Sequence, residues 1–546
     1  MKMRVVCLSS LALLSLACAS DPGKSPDAGG SSGAGGAGGA AGNSGPSAVT
    51  FTIDSSKAHA ISPYIYGTNS GDFTKEAKGL TLARVGGNRL TAYNWENNLS
   101  NAGSDWNYSS DNYLSKSTTP GAAMTDPTQA ASTAGASMIM TVPIAGWVSA
   151  KANSACPAKP TAAQIAENFF PILPKKGSAF AYPPDLTDGK VYADEFVAYL
   201  ESQFPTAQTD PSRRIFYMLD NEPDIWAETH SEIHPAKVTY AELLQKSTDF
   251  ATGIKGAAPK ALVFGPVNYG WQGMVDLQKA PDAAGRDFIE FYLDSMKTAE
   301  ATAGQRLLDV LDVHWYPEAQ GDGKRIDDDG ITAGEVEARL QAPRSLWDKG
   351  YKETSWIADA AGVGPIYLIP RLQAKIDQHY PGTKLSISEY NYGAGGDISG
   401  GVAQADVLGV YGREGLFAAS VWLMSSTNSF LYAGFAMYRN YDGKGATFGD
   451  TSVAAATSDT NATSVYASVF AQDPSNVVVV AINKTTGTPV ANLTLSHPTQ
   501  LTAADVYTLT SAAAAPVKAA ALAALSPNVF SYTMPARSVS TLVLRP

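Results

Sequence analysis

Arg214-Ile-Phe-Tyr-Met-Leu-Asp-Asn-Glu-Pro223 decides the fold, and Lys384-Leu-Ser-Ile-Ser-Glu-Tyr-Asn-Tyr-Gly393 repeats its form. In both, an apolar strand-like run ends on an acid, Glu222 or Glu389, followed by residues that turn the chain. With its neighbours on either side, the set of strand-like runs is 65–69, 83–88, 136–143, 215–221, 262–268, 310–316, 385–390 and 418–423. Helical patterns lie between them, among others at 194–203, 240–255, 287–299, 333–340 and 402–413. This alternation predicts an α/β fold, a (β/α)8 barrel over 61–430; about 250 residues is typical, more with insertions. An open doubly wound sheet would carry a Gly-rich phosphate fingerprint after its first strand, and this chain has none.

After residue 430 the texture changes. Tryptophan stops at Trp422, and short alternating Val, Thr, Ala and Ser runs at 477–482, 490–495, 504–509 and 539–544 predict an all-β sandwich over 431–546. At 512–525 alanine is so frequent that a helix competes with a strand, although Pro516 interrupts it. Residues 48–60, ahead of the barrel, contain a further strand expected to pair into the sandwich.

The first 20 residues have the form of an export signal: Lys2 and Arg4, an apolar run too short to span a membrane, then small residues. Ala17-Cys-Ala19 satisfies a small-x-small cleavage site, whereas Leu14-Ser-Leu-Ala-Cys18 is similar to a lipoprotein signal that would anchor the chain through lipidated Cys18. Residues 21–47, almost wholly Gly, Ala, Ser and Pro, form a flexible tether. Of the three cysteines, Cys7 and Cys18 lie in the leader, which leaves Cys156 alone and excludes a disulfide framework. The net charge of −11 argues against nucleic acid as a partner and suits a neutral one. A monomer is the default for this build.

A carboxylate at the C-terminal end of a barrel strand points into the mouth where such folds do chemistry. Two of them, on the fourth and seventh strands, are what hydrolysis of a glycosidic bond requires. Beside the acid, Asn221 can donate to a sugar hydroxyl, and Pro223 stops the strand and aims Glu222. Tyr390 and Tyr392 are placed to hydrogen-bond Glu389 and keep it ionised; the plain alternative is a buried ion pair with Arg84, which would equally orient it. His314 and Tyr316 alternate at the end of the sixth strand and so share one side, the barrel mouth or else the structural core. His230 and His234 lack the zinc-protease order and read as loop or helix structure. No cofactor is expected; the acidic run 322–329 has the composition to hold calcium, a solvated charge run being the plainer reading. All nine tryptophans lie between 95 and 422, and Trp95, Trp356 and Trp422 are the candidates for stacking on sugar faces.

Three stretches carry a family resemblance: Arg84-Val-Gly-Gly-Asn-Arg-Leu-Thr-Ala-Tyr-Asn-Trp-Glu-Asn-Asn98; Asn221-Glu-Pro-Asp-Ile-Trp226 through His230 and His234-Pro235; and Ser388-Glu-Tyr-Asn-Tyr-Gly393, continuing to Gly415. They resemble glycoside hydrolase family 44, the endoglucanases and xyloglucanases. The resemblance implies a barrel with a β-sandwich, retention of configuration, Glu222 as acid/base, Glu389 as nucleophile and an internal β-1,4-glucan linkage as substrate. Related barrels acting on xylan, mannan or arabinan share such an acid pair, and a silent glucan-binding protein would have lost one of them. The alanine-rich stretch near the C-terminus departs from the family pattern.

Overall fold

The structure, a computed structural model, describes residues 47–546. The expected leader, Cys18 and residues 21–46 of the tether lie outside the described residues. The first strand, β1 (Ala48–Ala60), pairs with strands from the far end of the chain and not with its sequence neighbours in the barrel.

Next come eight strands that close a parallel barrel: β2 (Tyr64–Thr68), β3 (Leu82–Val85), β4 (Ser137–Val142), β5 (Ile215–Leu219), β6 (Val263–Asn268), β7 (Val310–Trp315), β8 (Lys384–Tyr390) and β9 (Ala418–Val421). Strand β9 returns to β2 and closes the ring, with Val421 opposite Thr68. Tyr64, Phe216, Phe264, Val310 and Ala418, all near strand starts, plug the lower end; the Tyr64 and Phe216 rings meet edge to face at 4.9 Å. The polar ends of the strands are thereby left at the opposite mouth.

Around the barrel stand α1 (Ala122–Thr133), α2 (Ala193–Gln203), α3 (Tyr240–Ala257), α4 (Phe288–Ala303), α5 (Leu368–His379), α6 (Ile398–Arg413) and α7 (Ser429–Arg439). Their starts are chemically marked. Thr239 caps α3 by accepting from Glu242 N, and Asp287 caps α4 by accepting from Glu290 N. The boundary expected at 430 falls inside α7, because this last helix completes the β9 unit before the all-β part begins.

That part is one ten-stranded sheet containing β1, β10 (Thr451–Thr457), β11 (Thr463–Phe470), β12 (Asp473–Asn483), β13 (Val490–Ser496), β14 (Ala503–Thr510), β15 (Ala513–Lys518), β16 (Val529–Thr533) and β17 (Ser538–Arg545), with Leu522–Ala523 beside β14. Strand β1 runs antiparallel to β10 and parallel to β13, which joins the first described strand to the last domain. Val506 and Phe530, from strands at opposite ends of the path, share one core, so the sheet folds over on itself. The alanine-rich stretch is strand where it pairs, as β15 on β14.

On β12, Val477, Val479 and Ala481 enter the sheet's own core, while Val478, Val480 and Ile482 pack into the barrel's. Burial on both faces explains an unbroken apolar run where alternation would otherwise appear. Helix α6 seals this contact: Asp406 pairs with Lys484 at 2.9 Å and accepts from the Tyr466 hydroxyl at 2.6 Å, all three side chains buried. Gly409 faces the same Tyr466 ring so closely that a Cβ would lie 2.2 Å from it. Among the described residues no helix is long and apolar enough to cross a membrane.

Candidate active site

Glu222 stands at the end of β5, Glu389 near the end of β8, and both side chains turn into the barrel mouth. The chain leaves β5 with Asp220 and Glu222 in the left-handed region, at φ 67° and 48°. Non-glycine residues hold such backbone at a cost on the order of 1–3 kcal/mol each, so the surroundings must over-determine it. Buried Asp220 does so. Its carboxylate accepts from the backbone N–H groups of Ile144, Ala145 and Asn221 at 2.5, 3.1 and 2.8 Å, and from Thr91 Oγ1 at 2.6 Å.

Arg84 ties the two acids' strands together. Its Nη1 donates to Glu389 Oε1 at 2.6 Å and to Asn69 Oδ1 at 2.7 Å; its Nη2 donates to Asn221 Oδ1 at 2.8 Å. The guanidinium folds back over Gly86, where a Cβ would sit 2.1 Å from Nη1, so no other residue fits there. The expected ion pair is therefore present, and it orients Glu389. Gly87 N–H adds a second bond to Asn221 Oδ1 at 3.2 Å, which leaves the Asn221 amide nitrogen without a protein partner among the described residues.

The expected role of Tyr390 and Tyr392 is corrected. Tyr390 points outward and accepts from Gln404 at 2.9 Å, and Tyr392 is buried in the surrounding core. Successive residues of a strand face opposite sides, so neighbours of an inward Glu389 cannot also face inward. Tyr316 instead donates to Glu389 Oε2 at 2.7 Å. His314 lies between the acids, with Nδ1 2.8 Å from Glu222 Oε1 and 3.5 Å from Glu389 Oε2. Carboxylate oxygens of Glu222 and Glu389 and a His314 nitrogen all fall within 4.8 Å of one another. That spacing alone would suit a cation, but the Arg84 guanidinium already supplies the positive charge on the Glu389 side.

The two acids are driven apart in acidity. Burial, then the neighbouring Glu389 charge, pushes Glu222 well above the usual carboxylate range. Burial also pushes Glu389 upward, but His314, Arg84 and the hydrogen bonds from Arg84 and Tyr316 outweigh it and hold Glu389 below that range. Burial lowers His314 itself, against the upward pull of the Glu389 and Asp312 charges. The two shifts run in opposite directions, the division of labour that acid and nucleophile need.

The sugar-stacking candidates divide. Trp95 is 1% exposed and stacked between Phe196 and Tyr199 at 5.7 and 5.3 Å, so it is a core residue and not a substrate contact. It comes after β3 in sequence, but the loop beyond Asn94 turns it inward onto α2. Trp422 is half-buried at the mouth, its ring filling the space left by Gly87. Trp356 is 39% exposed. Of the acidic run, Asp322 accepts from Thr332 and Gly334, Asp327 pairs with Arg325, Asp328 accepts from Gly330 and Asp329 from Ser426, so these carboxylates fold the loop onto its surroundings.

A family model, glycoside hydrolase family 44, matches residues 99–319. The chain is 41% identical over 517 residues to endoglucanase A of Paenibacillus lautus, covering 91% of this chain and 73% of that protein. It is 40% identical to a β-mannanase/endoglucanase A of Caldicellulosiruptor saccharolyticus, of which it spans 38%. The solved family 44 xyloglucanase of Paenibacillus polymyxa with xyloglucan superposes with a TM-score of 0.87 at 40% identity, over 91% of this chain and 100% of that one. The chain belongs to glycoside hydrolase family 44.

This family 44 mouth also contains residues that the sequence did not single out. Tyr269, directly after β6, is 39% exposed, and burial of its hydroxyl together with the Glu222 charge pushes it up to about 12. Asp224 is buried beside the acid and pushed up to about 7, by burial first and despite a bond from Tyr269 N–H at 3.0 Å. Asn69, which positions Arg84, donates in turn to the Ser388 carbonyl at 2.9 Å. Tyr269 and Asn69 both sit just past strand ends, a position that marks a barrel mouth; Asp224 and Asp220 flank the acid in sequence.

Proposed function

We propose that this family 44 protein is an endo-acting hydrolase of β-1,4-glucans such as cellulose derivatives, mixed-linkage glucan or xyloglucan, working with retention of configuration. The observation that carries the reading is the acid pair within 4.8 Å. Retaining enzymes hold their carboxyl groups about 5–5.5 Å apart, whereas inverting ones leave about 6.5–9.5 Å for a water.

In this reading Glu222, protonated, gives its proton to the glycosidic oxygen as the C–O bond breaks. Glu389 forms the new bond to the anomeric carbon, giving a glycosyl-enzyme. Glu222, now a carboxylate, takes a proton from water, whose oxygen displaces Glu389. Asn221, held through its oxygen, offers N–H to the sugar 2-hydroxyl. Trp356 and Trp422, with exposed Tyr269, grip the chain's apolar faces. The chemistry needs no cofactor, and the protein acts as an exported monomer, tethered or released according to the fate of Cys18.

Reducing-sugar release from carboxymethyl cellulose and xyloglucan tests this reading, with Glu222→Gln and Glu389→Gln beside the wild type. Activity in the wild type that both substitutions abolish supports it. Release from neither polymer, or from xylan or mannan in preference, would redirect it.

A further inference from the structure

His230 is fully buried in the loop beyond the acid, and both of its ring nitrogens face acceptors. Nδ1 is 2.7 Å from Glu232 Oε1, and Nε2 is 2.7 Å from the Asn88 carbonyl. A neutral imidazole has one donor and one bare lone pair, so it cannot satisfy both. A carbonyl only accepts. The Glu232 carboxyl could carry the proton, but histidine is about two units more basic than glutamate, and the Asp220 charge nearby favours a cation further.

We propose that His230 is a buried imidazolium strut, a positioning residue that locks the loop of the acid Glu222 to the loop of Arg84. The two loops meet at this ring. Asn88 comes directly after Gly87, whose N–H holds Asn221, and its side chain donates to Asp105 at 3.1 Å. Gly103 packs on the ring itself, where a Cβ would lie 3.0 Å from His230 Cε1 and 2.3 Å from the Thr229 carbonyl. The strut thus also seats the turn Gly103–Trp106. The titratable and charged groups around it are Glu232 on its own loop and Asp220 at the end of β5, with the buried Cys156 thiol beside Glu232.

Burial pulls His230 down, yet Glu232, the Asn88 carbonyl and Asp220 outweigh it, and the net direction is upward. The strut is therefore intact below the ordinary histidine range and is lost as pH rises through the raised folded value. Loss turns one short contact into lone pair against lone pair and lets the acid drift. A misplacement of about 1 Å near the chemistry costs on the order of a hundredfold in rate. This inference rests on the hydrolase reading for its consequence, but not for its test.

Imidazole-15N-labelled protein provides the test, with His230 assigned among the six histidines by its absence from a His230→Gln spectrum. The expected result is two protonated nitrogens on His230 at pH 7, persisting above the titration of the exposed histidines. A single protonated nitrogen at pH 7 would overturn the proposal. Glu232→Gln gives a second measure: its amide can donate to the lone pair of a neutral imidazole, so the share of the wild type's alkaline fall in kcat on glucan that His230 deprotonation causes should disappear and the limb become shallower, with KM changed less than about threefold. An unmoved pH profile would overturn the strut's role. Absence of glucan hydrolysis by the wild type would instead sink the hydrolase reading and leave the spectrum to decide the strut.

Discussion

Arg84 and Glu389, 305 residues apart in sequence, meet at 2.6 Å with both side chains almost wholly removed from solvent. The other arm of the same guanidinium holds Asn221, the residue before Glu222. One side chain therefore sets the position of both halves of the acid pair.

Arg84→Lys keeps the charge but loses the fork that reaches Glu389 and Asn221 together. We expect kcat/KM to fall by about two to three orders of magnitude, mainly in kcat, with the fold retained by circular dichroism. Since Arg84 helps hold Glu389 below the carboxylate range, its weakening should also move the acid limb of the pH–rate profile to higher pH.

The alkaline limb should report Glu222, whose value burial and the Glu389 charge push well above the usual carboxylate range. Activity requiring the acid falls as pH rises through that value. An aryl cellobioside with a very acidic leaving group needs no proton in its first step, so its glycosylation rate, read as the pre-steady-state burst of aryl release, should lack the Glu222 limb. A limb equally steep on both substrates would contradict this assignment.

Trp356→Ala and Trp95→Ala should separate binding from folding. The exposed ring of Trp356 should cost KM, on the order of tenfold, with kcat largely kept. Buried Trp95, stacked between Phe196 and Tyr199, should cost about 3–5 kcal/mol of stability by chemical denaturation, as aromatic-to-alanine changes in cores do.

Asp406→Ala should loosen the barrel from the sheet. It strands Lys484 in the interface, and breaking a buried pair from one side typically costs about 3–5 kcal/mol. Replacing both partners with apolar residues of similar volume should recover most of that loss. Kinetics at 25 °C should stay near wild type, because Asp406 makes its contacts with Lys484 and Tyr466 of the sheet and none with the acid pair.

The barrel was legible because its strands are buried on both faces and punctuated by acids and turns at one end. The helices at 240–257 and 288–303 were legible from their helical patterns, and their starts are set by the Thr239 and Asp287 caps that the structure shows. That Glu222, Glu389, His314 and Tyr316 meet at the mouth was legible from their places at strand ends, and Arg84 from the need of a buried Glu389 for a partner. Trp95 was misread because coming after a strand does not fix which way a loop turns its ring. Tyr390 was misread because adjacent residues of a strand face opposite sides, and Tyr392 because it lies past the end of β8. The pairing of 513–518 was invisible, since alanine favours helix locally and only the neighbouring β14 makes it a strand. The short contacts of His230 join loops more than 100 residues apart, a relation no local pattern encodes.

The central claim is that Glu389 attacks while Glu222 supplies the proton. A 2-deoxy-2-fluoro cellobioside with an activated leaving group should trap the glycosyl-enzyme, and peptide mass spectrometry would locate it. The account predicts one covalent sugar adduct, on Glu389, formed also by Glu222→Gln and absent from Glu389→Gln. An adduct on another residue, or steady turnover to an inverted product with no adduct, would contradict it.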